Sequence, residues 1–394
     1  MCHRSKSTML LMLALILALA ACAPAATLVP PTSTPIPPTN TIAPTTTAVS
    51  APRPVATTEV KSVSADLDAM MQKITDKGLF TGAVLVARDG QIVLNKGYGF
   101  ADRERKILNM PQTQFRIAQV TQSFTAVAIL LLQKQGKLSI TDKICRYLKA
   151  CPIAWQDITI QQLLTHTAGL PEIIDTDAYR LIQGEPTTPQ KLIALFRDAP
   201  LDYLPGKSFN ITPLGFGASD YVVLGALIEQ ISGQTFETFV QQAVLEPLTL
   251  THTSFDQAVG ERAIGYFDQT SIHTVPHRVI PYAAGSLYST VEDLYRWMNA
   301  LAGDGPISTL IVDEVLKPQI KNPTGNGWDA GYSVILDTFA GRRTISLSGD
   351  MDGYRSVIDW YPDERLMIIV LVNQDTVSPF TTSELLAKKA LDLK

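Results

Sequence analysis

The period of the hydrophobic residues changes twice along this chain, and that change limits the folds open to it. Residues 80–88 and 91–100 alternate apolar and polar side chains on either side of Asp89-Gly90, the pattern of a hairpin with a strong turn. Near the other end, residues 332–336, 343–347, 354–360 and 366–372 again read as strands. Between these ends the spacing is helical. Residues 121–135 are apolar on every side through 126–132, which predicts a central buried helix stopped by Gly136. Thr159 and Gln162 have capping-box spacing ahead of Leu163 and Leu164. Residues 221–231, 235–244 and 291–301 give further helical patterns. Ser64 is placed to cap a helix over 64–77, and a last helix is expected over about 382–393. Strands at both ends with helices between predict an α+β fold. It has one antiparallel sheet built from both chain ends, flanked by terminal helices, with a mainly helical lobe inserted.

The front of the chain stands outside that pattern. His3, Arg4 and Lys6 form a charged head, and an apolar run follows from Met9 to Ala21. It falls short of the roughly 20 residues of a membrane span and suits a secretory signal. The run ends in Leu19-Ala20-Ala21-Cys22, which resembles the lipobox of a bacterial lipoprotein, where the cysteine thiol carries the lipid. An uncleaved anchor and an ordinary cleaved signal are the alternatives, and each places the rest of the chain outside the cytoplasm. Residues 22–60 are rich in Pro, Thr and Ala without periodicity, as in a solvated tether. At about 3.1 Å per residue it reaches roughly 100 Å. The expected organisation is a signal over 1–21, a tether over 22–60 and a folded domain over 61–394.

Several segments of that domain belong together. Residues 115–136 read FRIAQVTQSFTAVAILLLQKQG, and 163–170 read LLTHTAGL. EPLTLTHTSF stands at 246–255, AAGSLYSTVEDL at 283–294, and Gly353-Tyr354-Arg355-Ser356 near the end. Over about residues 65–375 this set resembles the serine β-lactamase and penicillin-binding-protein family, especially its class C and esterase-like branch. The resemblance implies a cleft between sheet and helical lobe. It also implies four pieces of chemistry: a nucleophilic Ser, a Lys three residues on, a Tyr in a Tyr-x-Asn segment, and a Lys- or His-bearing strand. That strand supplies positive charge and, with its backbone, half of an oxyanion hole.

Each of those positions is substituted. Gln119 and Gln122 stand for the Ser and the Lys, on one face of a helix's first turn. A carboxamide neither attacks a carbonyl nor takes up a proton near neutral pH. Counting back from Tyr221 places Phe216 at the Tyr and Ala218 at the Asn. The strand motif becomes Leu347-Ser348-Gly349-Asp350, with Leu347 at the cation and Asp350 where a carboxylate would oppose a developing oxyanion. These eight residues, Gln119, Gln122, Phe216, Ala218, Leu347, Ser348, Gly349 and Asp350, are the expected lining of the cleft. Gln119 and Gln122 are expected to hydrogen-bond each other or Ser348.

No replacement nucleophile is evident. Neither Ser-x-x-Lys nor Gly-x-Ser-x-Gly occurs in the chain. Thr121 and Ser123 are turned about 200° and 40° from the direction of Gln119 on a helix, and Ala126 stands where Ser123 would need its Lys. His166 matches a position that the resemblance makes structural. Glu172, Asp175 and Asp177 read as a solvated acidic loop rather than a cation site. His273 and His277 lack acidic or thiol partners nearby in sequence, and nothing resembles a zinc site, so neither metal nor cofactor is expected.

The net charge of −4 and the lack of a basic, aromatic-interleaved run exclude a nucleic-acid partner. Cys145 and Cys151 are six positions apart; a local disulfide is expected in an oxidising compartment, with two buried thiols as the other reading. The function expected is that of an envelope lipoprotein held to a bacterial membrane by Cys22. Its degenerate cleft would bind a cell-wall fragment or peptide, or serve structurally. The alternative is an active hydrolase of β-lactams, peptides or esters with an unrecognised nucleophile.

Overall fold

A computed structural model describes residues 57–182, 187–212, 215–255, 262–268, 282–303, 305–307 and 309–392, with the side chains of 57–61 and 211–216 set aside. Cys22, His273 and His277 lie outside the described residues, as does the Phe216 side chain. In chain order the first elements are α1 (Thr57–Asp76), β1 (Gly82–Arg88), β2 (Gln91–Tyr98), β3 (Phe100–Asp102), β4 (Ile107–Leu108) and β5 (Phe115–Arg116). The lobe follows with α2 (Val120–Lys134), α3 (Ile160–Leu164), α4 (Asp177–Ile182), α5 (Pro189–Ala194), β6 (Ile211–Thr212), β7 (Gly215–Phe216), α6 (Ser219–Ser232) and α7 (Phe236–Val240). The chain closes with β8 (Tyr288–Ser289), α8 (Val291–Leu301), α9 (Thr309–Leu316), β9 (Asp329–Ala330), β10 (Ile335–Phe339), β11 (Arg342–Met351), β12 (Tyr354–Tyr361), β13 (Leu366–Val372) and α10 (Pro379–Ala390).

The principal sheet has seven strands in the order β2-β1-β13-β12-β11-β10-β9, every pairing antiparallel. β1 pairs with β13 from Gly82↔Val372 to Arg88↔Leu366, so the sheet is assembled from both ends of the chain. Alternation then sorts its side chains. Leu366, Ile368, Val370 and Val372 pack with Leu67, Met71 and Leu386 of the terminal helices. Met367, Ile369 and Leu371 face the larger core with α2, α6 and α8. α2 is buried on all sides from Val120 to Leu130, as its unbroken apolar run requires, and Phe124 stacks on Trp297 at 3.9 Å between centroids. Caps expected from the sequence are made: Thr159 and Gln162 close a capping box on α3, and the Thr290 side chain accepts from Asp293 N at the head of α8.

Element boundaries differ from the sequence reading in several places. α1 begins at Thr57, so Ser64 lies inside it; no Gly or Pro interrupts 57–64 to stop the helix from extending back. Residues 332–334 are not strand. Gly331 N donates to Val334 O and Ser333 has φ of 61°, a turn that buries Tyr332 and Val334 before β10 begins at Ile335. The pattern over 235–244 is split, α7 ending at Val240 and a π-type turn covering Gln241–Leu245. α10 starts earlier than expected because Ser378 caps it and Pro379 takes its first position, where a missing N–H costs nothing.

Candidate functional site

The start of α2 lies against β11, and a glycine makes that approach feasible. A Cβ at Gly349 would stand 2.3 Å from Ile117 O and 2.9 Å from Gln119 N. Ser356 on the neighbouring strand donates its hydroxyl to Ile117 O at 3.0 Å, and Ala118 takes φ of 46° to turn the chain into the helix. At this junction the Gln119 side chain reaches the strand. Its Oε1 accepts the backbone N–H of Asp350 at 2.8 Å. A strand N–H is what the resemblance assigns to the oxyanion hole, and here a carboxamide of the chain's own takes it.

Gln122 reaches the other wall. Its Nε2 donates to Gly217 O at 3.2 Å, at the loop leading into α6, and its Oε1 is buried without a hydrogen-bond partner. The expected bond between Gln119 and Gln122 is therefore not the arrangement found: each carboxamide ties α2 to a different wall. Ala218 is buried at the head of α6, and Leu347 is 1% exposed within the large core, so neither offers a polar group. Ser348 is half-buried beside it. Phe216 pairs through its backbone with Ile211.

The carboxylate of Asp350 is better compensated than the sequence suggested. Asp350 and Arg355 are register partners across β11 and β12, and their charges meet at 3.2 Å. Burial still raises the Asp350 carboxyl above its ordinary value, against the pull of Arg355. The hydroxyls nearest the expected nucleophile are engaged in structure. Ser123 Oγ donates to Val120 O and accepts from Trp297 Nε1 at 3.0 Å. Thr121 Oγ1 accepts from Leu287 N, and Thr125 Oγ1 donates to Ala283 O.

Sequence reasoning missed Glu172. It is 8% exposed, whereas Asp175 and Asp177 of the same acidic stretch are exposed. Its Oε2 accepts from Ala218 N at 2.8 Å and its Oε1 from Ile174 N at 3.3 Å. The Ser219 hydroxyl completes the clasp, accepting from Ile173 N and donating to Pro171 O. Burial pushes the Glu172 carboxyl up to about 7, although its hydrogen bonds and the helix N-terminus favour the charged form. His166 and Asp220 lie close by, 3.5 Å apart and both fully buried, with the imidazole stacked on Tyr221. Burial drives both towards neutrality, His166 down to about 3 and Asp220 well up. The only sequence signal for His166 and Glu172 was the run from Thr165 to Glu172, which names a helix end but not its burial. Among the described residues no group of three or more His, Cys, Asp or Glu is placed to hold a metal ion. Cys145 and Cys151 are joined by a disulfide, with Cα atoms 5.3 Å apart.

Comparison with known proteins decides the family. The beta-lactamase family model matches residues 67–391. The chain belongs to the beta-lactamase family. Among relatives, protein flp of Staphylococcus aureus strain N315 is 27% identical over 322 residues, covering 78% of this chain and 62% of that protein. A putative penicillin-binding protein, PbpX of Bacillus subtilis strain 168, is 30% identical over 257 residues, covering 63% of this chain and 62% of the relative. The chain thus spans less than two thirds of the length of these relatives. Among solved structures, the octameric penicillin-binding protein homologue from Pyrococcus abyssi superposes with a TM-score of 0.71 at 26% identity, over 83% of this chain and 77% of that one. A class C beta-lactamase has a TM-score of 0.70 at 16% identity, over 86% of this chain and 98% of that one, a likeness of fold alone.

Proposed function

We propose that this beta-lactamase family member is an extracytoplasmic lipoprotein, anchored through Cys22, whose cleft holds an envelope ligand such as a cell-wall fragment or peptide without acylating. The observation that carries the reading is the 2.8 Å bond from Asp350 N to Gln119 Oε1. A substrate carbonyl entering that place meets an N–H already satisfied by a side chain with no nucleophilic oxygen. Gln122 adds no base, and the buried hydroxyls of Thr121, Ser123 and Thr125 are engaged in packing bonds. Loss of a nucleophile and its activating partner typically costs about 10⁶ in kcat, on the order of 8 kcal/mol.

The test uses fluorescent penicillin and a fluorophosphonate probe on the purified full chain. No labelling and background hydrolysis are expected. Stoichiometric labelling, mapped by peptide mass to a cleft residue, would replace this reading with an active hydrolase. Anchoring is tested separately by fatty-acid incorporation, which Cys22→Ser should abolish.

A further inference from the structure

Near one end of the sheet a row of side chains crosses three strands. Ala87 of β1 stands opposite Met367 of β13, and Met367 stands opposite Trp360 of β12. Cross-strand partners share a face of the sheet, and this is the face that packs on α8. α8 brings Tyr295, Asn299 and, at its C-cap, Ala302 to the same place, since positions i, i+4 and i+7 share a helix face. Ala87 and Ala302 are too small to fill the corner between strand row and helix. A cavity of about 270 Å³ remains there, rimmed by Gly90 of the β1–β2 turn and by Pro362 and Arg365 of the β12–β13 turn. That is close to the lower bound of small-molecule pockets, about 300 Å³, and suits a single ring.

The polar groups of this lining have capacity to spare. Asn299 and Trp360 are half-buried, and among the described residues neither the carboxamide nor the indole N–H makes a hydrogen bond. A carboxamide both donates and accepts, and an indole N–H donates. The Tyr295 hydroxyl makes only a long bond, 3.4 Å to Gly90 O, and keeps its accepting lone pairs. Arg365 is the one charged residue among the described residues of the lining. Its Nε lies 3.3 Å from Asp89 Oδ1, so its charge is paired while its outer N–H groups stay open. Arg365 holds this place with φ of 51°, a conformation that glycine adopts without steric cost.

We propose that this cavity is a binding site for a neutral sugar ring, separate from the cleft at the start of α2. A pyranose has an apolar face of C–H bonds and a rim of hydroxyls, each of which donates and accepts. Trp360, Tyr295 and Met367 supply aromatic and apolar surface for the face. The Asn299 carboxamide, the Trp360 indole N–H and the open N–H groups of Arg365 answer the hydroxyls. An anionic ligand would meet a cation already paired with Asp89, and a cationic ligand would meet no carboxylate in the described lining. Arg355, across from Asp350 at the cleft junction, stands towards the other end of β12 from Trp360, roughly 16 Å away at about 3.3 Å per residue. One ring therefore does not bridge the two places, and the proposal does not rest on the non-acylating reading of the cleft.

The experiment titrates the full chain, held in a detergent without a sugar headgroup, with glucose and, separately, N-acetylglucosamine, following ligand signals by saturation-transfer NMR. A saturable response to at least one of them is expected. Trp360→Ala should weaken the midpoint at least about tenfold, as loss of a central aromatic anchor does. Asn299→Ala should weaken it about threefold to tenfold, the worth of one or two hydrogen bonds, and decides the matter where Trp360→Ala does not fold. No saturable response in the wild-type chain, or undiminished binding in the folded variants, overturns the site. Binding that survives both variants but is lost on Gln119→Ala would place the sugar in the cleft instead. Covalent probe labelling of the cleft, with sugar binding still dependent on Trp360 and Asn299, would overturn the non-acylating reading and leave this site standing.

Discussion

Two adjoining regions of the molecule handle protons in opposite ways. Where α2 meets β11 and the loop before α6, the side chains of Gln119, Gln122, Ala218 and Leu347 carry no titratable group. Behind it, at the head of α6, Glu172, His166 and Asp220 are ionisable and buried. A shifted pKa in a family of hydrolases suggests chemistry. Here the shifted groups sit in the clasp of a helix start, with both Glu172 oxygens spent on backbone N–H groups. The two carboxamides at the cleft junction are uncharged, and their bonds hold α2 to β11 and to the loop before α6. A pKa raised by burial therefore does not by itself mark a reactive group: Glu172 has one, and its oxygens are spent on holding a helix start.

The contrast breaks most visibly if chemistry can be restored to the cleft. Gln119→Ser with Gln122→Lys should recover little turnover of a chromogenic ester or lactam. Adding Phe216→Tyr, Ala218→Asn and Leu347→His should raise the rate by about 10²-fold over the pair, the usual scale of a general acid–base contribution. Equal rates in the two variants would mean that the scaffold, not the missing groups, prevents the reaction.

The buried cluster is sharpened by pH. Glu172 is held at about 7 against an ordinary 4.5, so the folded chain binds its proton more tightly. Its contribution to stability is greatest below about pH 4.5 and falls as pH rises to about 7, on the order of 3 kcal/mol in all. His166, lowered to about 3, acts in the opposite sense: the unfolded chain protonates below about pH 6.5, and stability falls as acid is added. Denaturant titrations of wild type and Glu172→Gln should show a stability difference that shifts against the wild type between pH 4.5 and 7. A pH-independent difference would show that Glu172 keeps an ordinary carboxyl in the folded state.

A smaller effect is expected where a cleft charge is already paired. Asp350→Asn removes the partner of Arg355 at a site about one third exposed on both sides. The change in unfolding free energy should stay below about 1 kcal/mol, the range of such surface pairs. A loss of several kcal/mol would mean that Asp350 supports the Gln119 junction through its side chain and not only through its backbone N–H.

Local physics was readable where a few neighbouring residues suffice. The all-apolar run of α2, the Thr159–Gln162 box, the Thr290 cap and the Asp89-Gly90 turn each depend on residues within a turn or two. The unbroken apolar run of β13 suits a strand buried on both faces, and it lies between β1 and β12 inside the sheet. Boundaries failed where alternation had another cause. Tyr332 and Val334 are apolar because a turn buries them, not because they belong to a strand.

The same division holds for the site. Residue identity by itself determined that Gln119 and Gln122 cannot act as nucleophile and base, and that Leu347 carries no charge, because those properties reside in the side chain alone. It also determined the α+β layout, because strand and helix periods report which faces must be buried. Tertiary structure alone decided that Asp350 N meets Gln119 Oε1, that Arg355 stands across from Asp350, and that Glu172 closes on Ala218. Those outcomes join residues distant along the chain. They depend on sheet register and on how closely Gly349 lets α2 approach, and no local pattern of residues encodes either.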